Sequence, residues 1–487
     1  MIIRENIRKT IVIAYLTSFL AQVCELGFNI LIFGQFPIET VGNYGLIMSI
    51  VTFFNFALDM GLNQTLFRGF SQARLSLSEA LRGTAALRIP MASIGVIFLL
   101  VWVYHSPALS QDWLPLSLAI CSTIILTQRT IAISWLRAHD KQTIANIIGL
   151  LFSFAKLASG LLLIRLNAFH LVSFFGAICL VEIMVTLLSY RCTGKLKLET
   201  IKAQSISIDL VRQAVKAIWK PGLVFFLIGL CTVIQNRLDW MLVYAYVSKT
   251  ELAYYSLANK IYELFNSYIG IATITLFPWL CKVVQAKDTN PMLVLGTKAL
   301  TFGCVLLAGL VALYSPYILK ITWGNKYEPA NNMIFLFMCA ATLTPFCALT
   351  YYYLVACGHE RYILVTGIAA TLAQTAANII LIPKFGGFGA TLGMIILVIT
   401  TFIISIIWLL KIKALKFFGL QRIIIHSVMM IPILVLLKWQ INHNIVLLLV
   451  LLISNVFCGI AILLTKDEFA LCNQKYQLLK RRLRIFN

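Results

Sequence analysis

The sequence predicts an all-α membrane protein with about 14 transmembrane helices, and three observations lead to that prediction. The chain of 487 residues is 60% hydrophobic and only 12% charged, whereas soluble domains carry about 25% charged residues. Its apolar residues fall in long runs, and its basic residues concentrate in every second gap between those runs. These features together predict a multi-pass protein whose loops alternate between the two sides of a membrane.

Fourteen apolar runs are long enough to cross a membrane, since a spanning helix needs roughly 20 apolar residues. The first run follows basic residues, as in a signal peptide. It is too long and lacks a small-residue cleavage site, so it is interpreted as span 1. The predicted spans, numbered in chain order, are 11–33, 41–61, 89–105, 114–135, 143–164, 169–190, 222–246, 253–280, 299–319, 332–356, 362–382, 388–410, 423–437 and 445–465.

The basic residues orient these spans. Thirty of the 40 Lys and Arg lie in gaps on one side, six lie in the opposite gaps, and four fall inside apolar runs. Because cytoplasmic loops are enriched in Lys and Arg, the side with thirty is predicted to be cytoplasmic, as are both termini. The net charge of +22 is then explained by loops that face anionic lipid headgroups, and no nucleic-acid partner is predicted.

The two halves of the chain resemble each other. Residues 41–55 align with 252–266 at an offset of 211, and 137–177 align with 356–393 at about 219. The offset corresponds to six spans, and because six is even, both copies of the repeat have the same orientation in the membrane. This predicts two six-helix lobes in parallel pseudo-repeat with a binding site between them. The predicted domains are an N-lobe at 1–190, a cytoplasmic amphipathic linker at 191–221, a C-lobe at 222–410, and two accessory helices with a basic tail at 411–487.

Ionisable side chains inside the spans indicate the candidate site, because a charge in the bilayer is costly unless it lines a wet cavity or is paired. Counting 1.5 Å of rise per residue places Glu25, Arg237, Asp239, Lys260 and Glu263 at similar depth in the outer half of the membrane. Arg237–Asp239 and Lys260–Glu263 are either structural ion pairs or parts of a cavity, and the sequence favours neither interpretation.

Two further bases lie deeper, with no acid near either in sequence, and this favours a place in a cavity. Lys156 lies near the midplane of span 5 on a polar stripe that includes Asn146, and Arg129 lies in the inner half of span 4. Glu182 on span 6 is an acid that could pair with either base. Gln374 and Asn378, one turn apart on span 11, form an uncharged polar face.

These residues predict an electropositive cavity for an anionic headgroup, because Arg can bind phosphate bidentately and Lys binds it as a point charge. The predicted headgroup ligands are Arg129, Lys156, Arg237 and Lys260, with Asn146, Gln374 and Asn378 as a polar cavity face. The carboxylates of Glu25, Asp239 and Glu263 are expected to balance charge or couple transport to ions. Glu25 is the first candidate for a proton carrier, because removal from water favours the protonated carboxyl.

Other chemistries lack their residue patterns. The chain contains no G-x-x-x-x-G-K-[ST] loop, no H-E-x-x-H and no C-x-x-C pair, and its 12 Cys are scattered singly. We therefore predict no catalytic residue, metal or cofactor. The glycine-rich stretch at 386–393 is interpreted as a turn with close-packing residues rather than a nucleotide site.

Six stretches resemble the polysaccharide repeat-unit flippases, the O-antigen (Wzx-type) branch of the multidrug/oligosaccharidyl-lipid/polysaccharide exporter superfamily. Each is degenerate alone, and their order and spacing over most of residues 1–410 carry the resemblance. The stretches are LDMGLNQTLFRGFSQ, LRAHDKQ, LAYYSLANKIYELFN, YSPYILKITWGNKYEPA, YYYLVACGHERY and ANIILIPKFGGFGATLG.

The resemblance implies 14 spans in two lobes of six plus two accessory helices. It also implies flipping of an undecaprenyl-pyrophosphate-linked oligosaccharide across the bacterial inner membrane, from the inner to the outer leaflet. A cationic lumen and coupling to an ion gradient belong to the same expectation. The expected partners are the lipid-linked oligosaccharide, membrane lipids, and the polysaccharide polymerase and chain-length machinery.

Three other functions are weighed against this one. A multidrug/ion antiporter of the same superfamily typically has an acidic cavity for cationic drugs, whereas the bases in these spans favour an anionic cargo. A membrane-embedded polysaccharide polymerase or ligase usually has a large outer loop, whereas the longest predicted outer loop has about a dozen residues. A channel or scaffold leaves the repeat unexplained. The chain is therefore predicted to be a transporter and not an enzyme.

Overall fold

The computed structural model describes residues 2–59, 112–139, 141–194, 208–286, 291–412 and 420–439, with shorter pieces at 66, 70, 80–81, 83–85, 88–93, 96 and 453. Within these residues the regular elements are helices, and no strand is found. The longer helices are α1 (Ile2–Gln35), α2 (Ile38–Asp59), α3 (Trp113–Ala138), α4 (Gln142–Arg165), α5 (Leu171–Thr193), α6 (Ile208–Tyr246), α7 (Lys249–Ala286), α8 (Pro291–Trp323), α9 (Ala330–Ala341), α10 (Thr344–Ala356), α11 (Glu360–Lys411) and α12 (Leu420–Trp439).

The all-α membrane fold predicted from the sequence is confirmed. In the described part of the chain, eight helices are long and apolar enough to cross a membrane, and the bent pair α9 and α10 makes a ninth if it forms one span. α11 holds the two predicted spans 362–382 and 388–410. Predicted spans 3 and 14 lie outside the described residues, apart from 89–93, 96 and 453. The total of 14 spans and the side of each terminus stay predictions.

The chain divides into two compact units, Met1–Ser256 and Leu257–Asn487. The first unit contains α1 to α6 and the beginning of α7, so it includes α6, which the sequence repeat assigns to the second lobe. Two parts of the predicted linker are described: residues 191–193 end α5, and residues 208–221 form the first part of α6 rather than a separate helix. The lobe boundaries predicted from the repeat stay predictions.

The first unit is built from pairs of long helices. α3 packs along α5, α1 packs along α4, and α2 packs against both α3 and α6. One aromatic cluster lies where α1, α2 and α5 meet: Phe28 stacks on Phe174 at 5.3 Å, and Phe36 and Tyr44 contact the same ring edge to face. Such aromatic contacts stabilise beyond the apolar area that they bury.

A second, mainly aliphatic cluster joins α3, α4 and α5 nearer their other ends. Its buried residues include Ile131, Trp135, Ile148 and Val185. On α5, Glu182 lies between Phe174 of the aromatic cluster and Val185 of this one. The two clusters therefore fix the helices on both sides of the charged residues described below.

The second unit packs α8 against α9, α10 and α12, and α11 against α9 and α10. α11 is a hairpin whose two arms meet at Gly386, with φ 59° and ψ −138°, a conformation that glycine adopts without strain. A Cβ added at Gly389 would lie 2.3 Å from the carbonyl oxygen of Leu381. The interpretation of this glycine-rich stretch as a turn with close-packing residues is confirmed.

Candidate functional site

Glu25 on α1 and Lys156 on α4 form an ion pair. The Lys156 Nζ donates to both carboxylate oxygens of Glu25, at 2.7 Å to Oε2 and 2.9 Å to Oε1. The ammonium also lies 4.5 Å from the ring centroid of Phe28 and 5.6 Å from that of Phe152. Aromatic faces attract cations, so Lys156 has contacts that hold its ammonium in place besides the carboxylate.

Glu25 is the more accessible half of this pair, although it lies on the protein-facing side of α1. Leu16, Phe19 and Val23 form an exposed apolar face of α1, and at 3.6 residues per turn Glu25 lies on the opposite side of the helix. The Glu25 side chain is 36% exposed and the Lys156 side chain 13%. An accessible carboxylate at this position indicates open space on the protein side of α1 rather than contact with lipid.

A polar stripe on α4 leads to the same ammonium. Asn146, Gly149 and Lys156 lie on one side of α4, away from the exposed Leu151. A Cβ added at Gly149 would meet no atom within 4 Å, so open space adjoins the stripe. Asn146 is half-buried and accepts a hydrogen bond of 3.4 Å from Gln142. The stripe that the sequence predicts is therefore present as a half-buried, partly open surface.

Arg129 on α3 and Glu182 on α5 form a second ion pair, which is buried. The Arg129 Nε lies 2.9 Å from Glu182 Oε1, and the two side chains are 11% and 3% exposed. The guanidinium carbon lies 4.1 Å from the ring centroid of Phe152. Of the two bases that Glu182 could pair with, it pairs with Arg129.

Phe152 connects the two pairs, because its ring lies against both Lys156 and Arg129. We name Glu25, Arg129, Lys156 and Glu182 the charged quartet; it joins α1, α3, α4 and α5. With all four groups charged, its formal charge is zero. Both bases thus have acid partners on other helices, which distance along the sequence does not reveal. Their role in substrate binding stays a prediction.

The two charged residues predicted on α6 make different contacts. The Arg237 Nε donates to Thr52 Oγ1 of α2 at 3.3 Å, and its guanidinium carbon lies 4.7 Å from the Trp240 ring centroid. Asp239 is fully buried and accepts hydrogen bonds from the Trp240 backbone N–H at 2.8 Å and from the Tyr255 hydroxyl. Arg237 therefore connects α6 to α2, and Asp239 connects α6 to α7.

Arg88 is a buried cation that the sequence does not identify, because it precedes predicted span 3 and is one of the thirty basic residues on the predicted cytoplasmic side. It is 3% exposed, and it donates to the carbonyl oxygens of Leu58 at 3.2 Å and Thr127 at 2.7 Å. Its Nη2 lies 3.9 Å from Asp59 Oδ1. Its position at the edge of an apolar run was the one feature of the sequence that indicates burial. Phe152 and Thr52 were also missed, because neither carries a charge.

In the second unit, Lys260 and Glu263 form an ion pair within α7. The Lys260 Nζ lies 2.6 Å from Glu263 Oε2, and the side chains are 18% and 27% exposed. This contact fits the structural ion pair that the sequence left open as one interpretation. A pair three residues apart on one helix needs no tertiary contact to form.

Gln374 and Asn378 are buried within the α11 hairpin. The Gln374 Nε2 lies 3.6 Å from Met394 Sδ on the other arm. Gly393 faces the Asn378 amide, since a Cβ added there would lie 1.8 Å from Asn378 Oδ1. Neither side chain lines open space in this structure, because the second arm of α11 covers both. Within the described residues, no group of three or more His, Cys, Asp or Glu could hold a metal ion.

Comparison with known proteins gives the family of this chain. A family model described as "Polysaccharide biosynthesis protein" matches residues 7–284, more than half of the chain. The chain belongs to this polysaccharide biosynthesis family. The matched region contains the whole charged quartet as well as Arg237 and Asp239. A search of curated protein sequences gave no match.

Solved structures share the fold over most of the chain. The lipid II flippase MurJ, in an inward closed conformation, superposes with a TM-score of 0.71 at 13% identity and covers 93% of this chain and 98% of its own. An inward-facing MATE multidrug transporter of the MOP superfamily gives 0.61 at 16% identity, covering 83% and 99%. A MOP superfamily transporter from Pyrococcus furiosus gives 0.57 at 15% identity, covering 84% and 96%.

These comparisons confirm the resemblance predicted from the sequence, at the level of family and fold. The identities are low, so the solved structures establish the fold alone. The protein is a multi-pass membrane protein of a polysaccharide biosynthesis family, with the fold shared by the MurJ flippase and MATE transporters.

Proposed function

We propose that this protein flips an undecaprenyl-pyrophosphate-linked oligosaccharide repeat unit from the cytoplasmic to the periplasmic leaflet of the bacterial inner membrane. One observation carries the proposal: a polysaccharide biosynthesis family match coincides in one chain with the fold of a lipid II flippase. The cargo then belongs to O-antigen or another surface polysaccharide. Translocation occurs by alternating access, and the product passes to a polysaccharide polymerase and its chain-length machinery.

Lys156 is the principal ligand of the diphosphate in this proposal. It lies beside an accessible carboxylate and at the end of the polar stripe on α4. Arg237 is a secondary ligand, since it is only partly buried; Lys260 stays a predicted ligand, paired with Glu263 in the second unit. Arg129 has no direct contact with the diphosphate in this proposal, because its pair with Glu182 is too buried; it supports the site through Phe152, whose ring lies against both bases.

The acids balance these bases. Glu25 and Glu263 are paired with Lys156 and Lys260, and Asp239 is held by Tyr255 and Trp240. Because Glu25 is the most accessible acid of the charged quartet, we assign to it the coupling of translocation to protons or another ion. Its proximity to Lys156 gives cargo and coupling ion one shared site.

A cellular experiment tests the proposed function. In cells that lack this chain, lipid-linked repeat units should accumulate on the cytoplasmic face of the membrane, and the intact chain should restore their transfer. Lys156→Ala should fail to restore it, whereas Lys384→Ala, which removes an exposed lysine at the α11 turn, should restore it fully. Normal leaflet distribution without the chain contradicts the function, and full rescue by Lys156→Ala contradicts the assignment of the lysine.

A multidrug/ion antiporter is the second candidate function. The MATE-like fold and the zero formal charge of the quartet favour it. Vesicles containing the purified protein distinguish the two candidates. An antiporter should move a cationic dye when a proton gradient is applied, whereas a flippase for an anionic lipid should leave the dye distribution unchanged.

A further inference from the structure

The Lys156 ammonium is already occupied by an anion in this structure. Both Glu25 oxygens accept hydrogen bonds from it, at 2.7 and 2.9 Å. A diphosphate that binds Lys156 must therefore share the ammonium with this carboxylate or replace it. Because the charged quartet has zero formal charge, sharing would place a diphosphate beside Glu25 and Glu182 without a surplus of positive charge.

We propose that Glu25 is an internal competitor of the cargo: its carboxylate holds Lys156 until a diphosphate displaces it. This inference rests on the proposed function and adds how the charge of Lys156 is balanced when no cargo is bound. The Glu25 carboxylate stands in for the phosphate oxygens, so an empty transporter never exposes an unpaired cation inside the membrane, where such a charge is costly.

The geometry indicates that Glu25, and not Lys156, moves when the cargo binds. The Glu25 side chain is 36% exposed and so has space into which it can swing, whereas Lys156 is 13% exposed and lies over the rings of Phe28 and Phe152. These rings keep contact with the ammonium when the carboxylate leaves.

The other charged groups on the neighbouring elements do not substitute for Glu25. On α4, the ionisable side chains are Lys156 and Arg165, which ends the helix, and on α2 they are Tyr44, Glu39 near the first residue and Asp59 at the last. Glu182 is only 3% exposed and is held by Arg129.

Competition with Glu25 also determines which ligands can bind Lys156. A diphosphate presents more charge and more acceptor oxygens than one carboxylate, so it can displace Glu25 from Lys156. A neutral polyprenol has no charge with which to compete. A cationic compound would have to compete with Lys156 for the Glu25 carboxylate, and displacing the ammonium would leave it without its counter-charge. The site thus favours diphosphates over both.

Binding of farnesyl diphosphate to the purified full-length protein in detergent tests this inference, with farnesol as the uncharged control. Glu25→Gln keeps the shape of the side chain and removes its charge. We expect it to tighten farnesyl diphosphate binding about tenfold, the equivalent of one charge-assisted hydrogen bond. Lys156→Gln should weaken binding about tenfold or more, and Glu25→Gln should not tighten binding in a Lys156→Gln background.

Glu360→Gln is the matched control, since it removes one carboxylate charge in the first turn of α11; it should leave the affinity unchanged. Unchanged or weaker binding in Glu25→Gln overturns the inference, as does equal tightening of farnesol binding. If Lys156→Gln does not fold, the affinities of Glu25→Gln and the native protein for farnesyl diphosphate still test the inference. If the native protein flips lipid-linked diphosphates but Glu25→Gln does not bind farnesyl diphosphate more tightly, the proposed function holds and only the inference about Glu25 is overturned.

Discussion

Arg129 and Glu182 face each other at 2.9 Å with almost no exposed surface, while Glu25 and Lys156 pair at similar distance beside open space. Burial thus divides the charged quartet into a buried pair and a more accessible pair. Breaking a buried pair leaves an uncompensated charge that is expensive in a low-dielectric interior. An accessible pair can exchange partners at small cost, because water or a ligand replaces the lost contact.

Glu182→Gln should therefore destabilise the protein, because it leaves the Arg129 guanidinium buried without its counter-charge. We expect a loss of about 3 kcal/mol in the free energy of unfolding, seen as a lower thermal midpoint in detergent. The double variant Arg129→Met with Glu182→Leu should recover most of this loss, since both charges are then gone. Equal thermal midpoints for Glu182→Gln and the native protein would show that the pair has no structural role.

The identity of the charged residues could be predicted from the sequence, as could the possibility that Glu182 pairs with Arg129, but the pairing of Glu25 with Lys156 could not. Counting along each span finds Glu25, Arg129 and Lys156 because a charge inside an apolar run is visible locally. Glu25 and Lys156 are 131 residues apart in the chain, so their contact depends on how α1 packs along α4. The burial of Arg88 could not be predicted for a related reason: the distribution of basic residues between loops does not show whether a side chain faces solvent or the protein interior.

At the scale of helices, glycines set the closest approaches. A Cβ added at Gly42 on α2 would lie 2.2 Å from the Lys249 carbonyl oxygen at the start of α7. Gly45, one turn on, packs against Trp240 of α6, with 3.3 Å between an added Cβ and that ring. The sequence repeat aligns α2 with α7, so this contact joins the beginnings of two equivalent helices.

Gly42→Ala should destabilise this contact, because the clash is with backbone that cannot rotate away. We expect a loss of about 1–3 kcal/mol, measured by thermal unfolding in detergent. Gly303→Ala on α8 is the matched control, since a Cβ added there meets nothing within 4 Å. It should be neutral or stabilising by up to about 1 kcal/mol. A loss of the same size in both variants would contradict the close approach.

Gly393 and Asn378 should behave as a coupled pair in the α11 hairpin. Gly393→Ala alone should lower the thermal midpoint, because the new methyl group overlaps the Asn378 amide. Adding Asn378→Ala removes that amide and should make the double variant more stable than Gly393→Ala alone. Purely additive effects in this double-mutant cycle would indicate that the two arms do not meet at these residues.

Most helices were predictable because hydrophobic length is a local property. The sequence places a span at 143–164 and another at 169–190, and the structure has α4 and α5 within three residues of those limits. The bend of 42° between α9 and α10 could also be predicted, because Pro345 lies at the start of α10 and proline kinks helices. The run of α6 through the predicted linker was not predictable in this way, because hydrophobic length does not show that a helix continues beyond its apolar run.

At the scale of the whole molecule, the orientation follows from the charge bias and can be checked directly. A green fluorescent protein fused after Asn487 should fluoresce, because that reporter folds in the cytoplasm, where both termini are predicted to lie. A fusion within the turn at Gly386 should stay dark, since this turn is predicted to be periplasmic. A dark fusion at the C-terminus would contradict the even number of spans.

The family and fold were within reach of sequence reasoning, whereas the charge state of the site was not. The repeat, the spans and the degenerate stretches together indicate an exporter, and the family match over residues 7–284 agrees. The sequence left open whether Glu182 pairs with Arg129 or with Lys156, whereas the structure pairs Glu182 with Arg129 and Glu25 with Lys156. Interhelical partners such as Glu25 for Lys156 become visible only when the helices are assembled.

The most direct test of the account is lipid flipping by the purified protein in proteoliposomes. A pyrophosphate-linked oligosaccharide carrying a fluorophore is incorporated into both leaflets, and a membrane-impermeant reagent reports how fast it changes leaflet. The native protein and Glu360→Gln should flip it, and Lys156→Gln should slow the flipping by about tenfold or more. Flipping by folded native protein that is no faster than in protein-free vesicles would contradict the account.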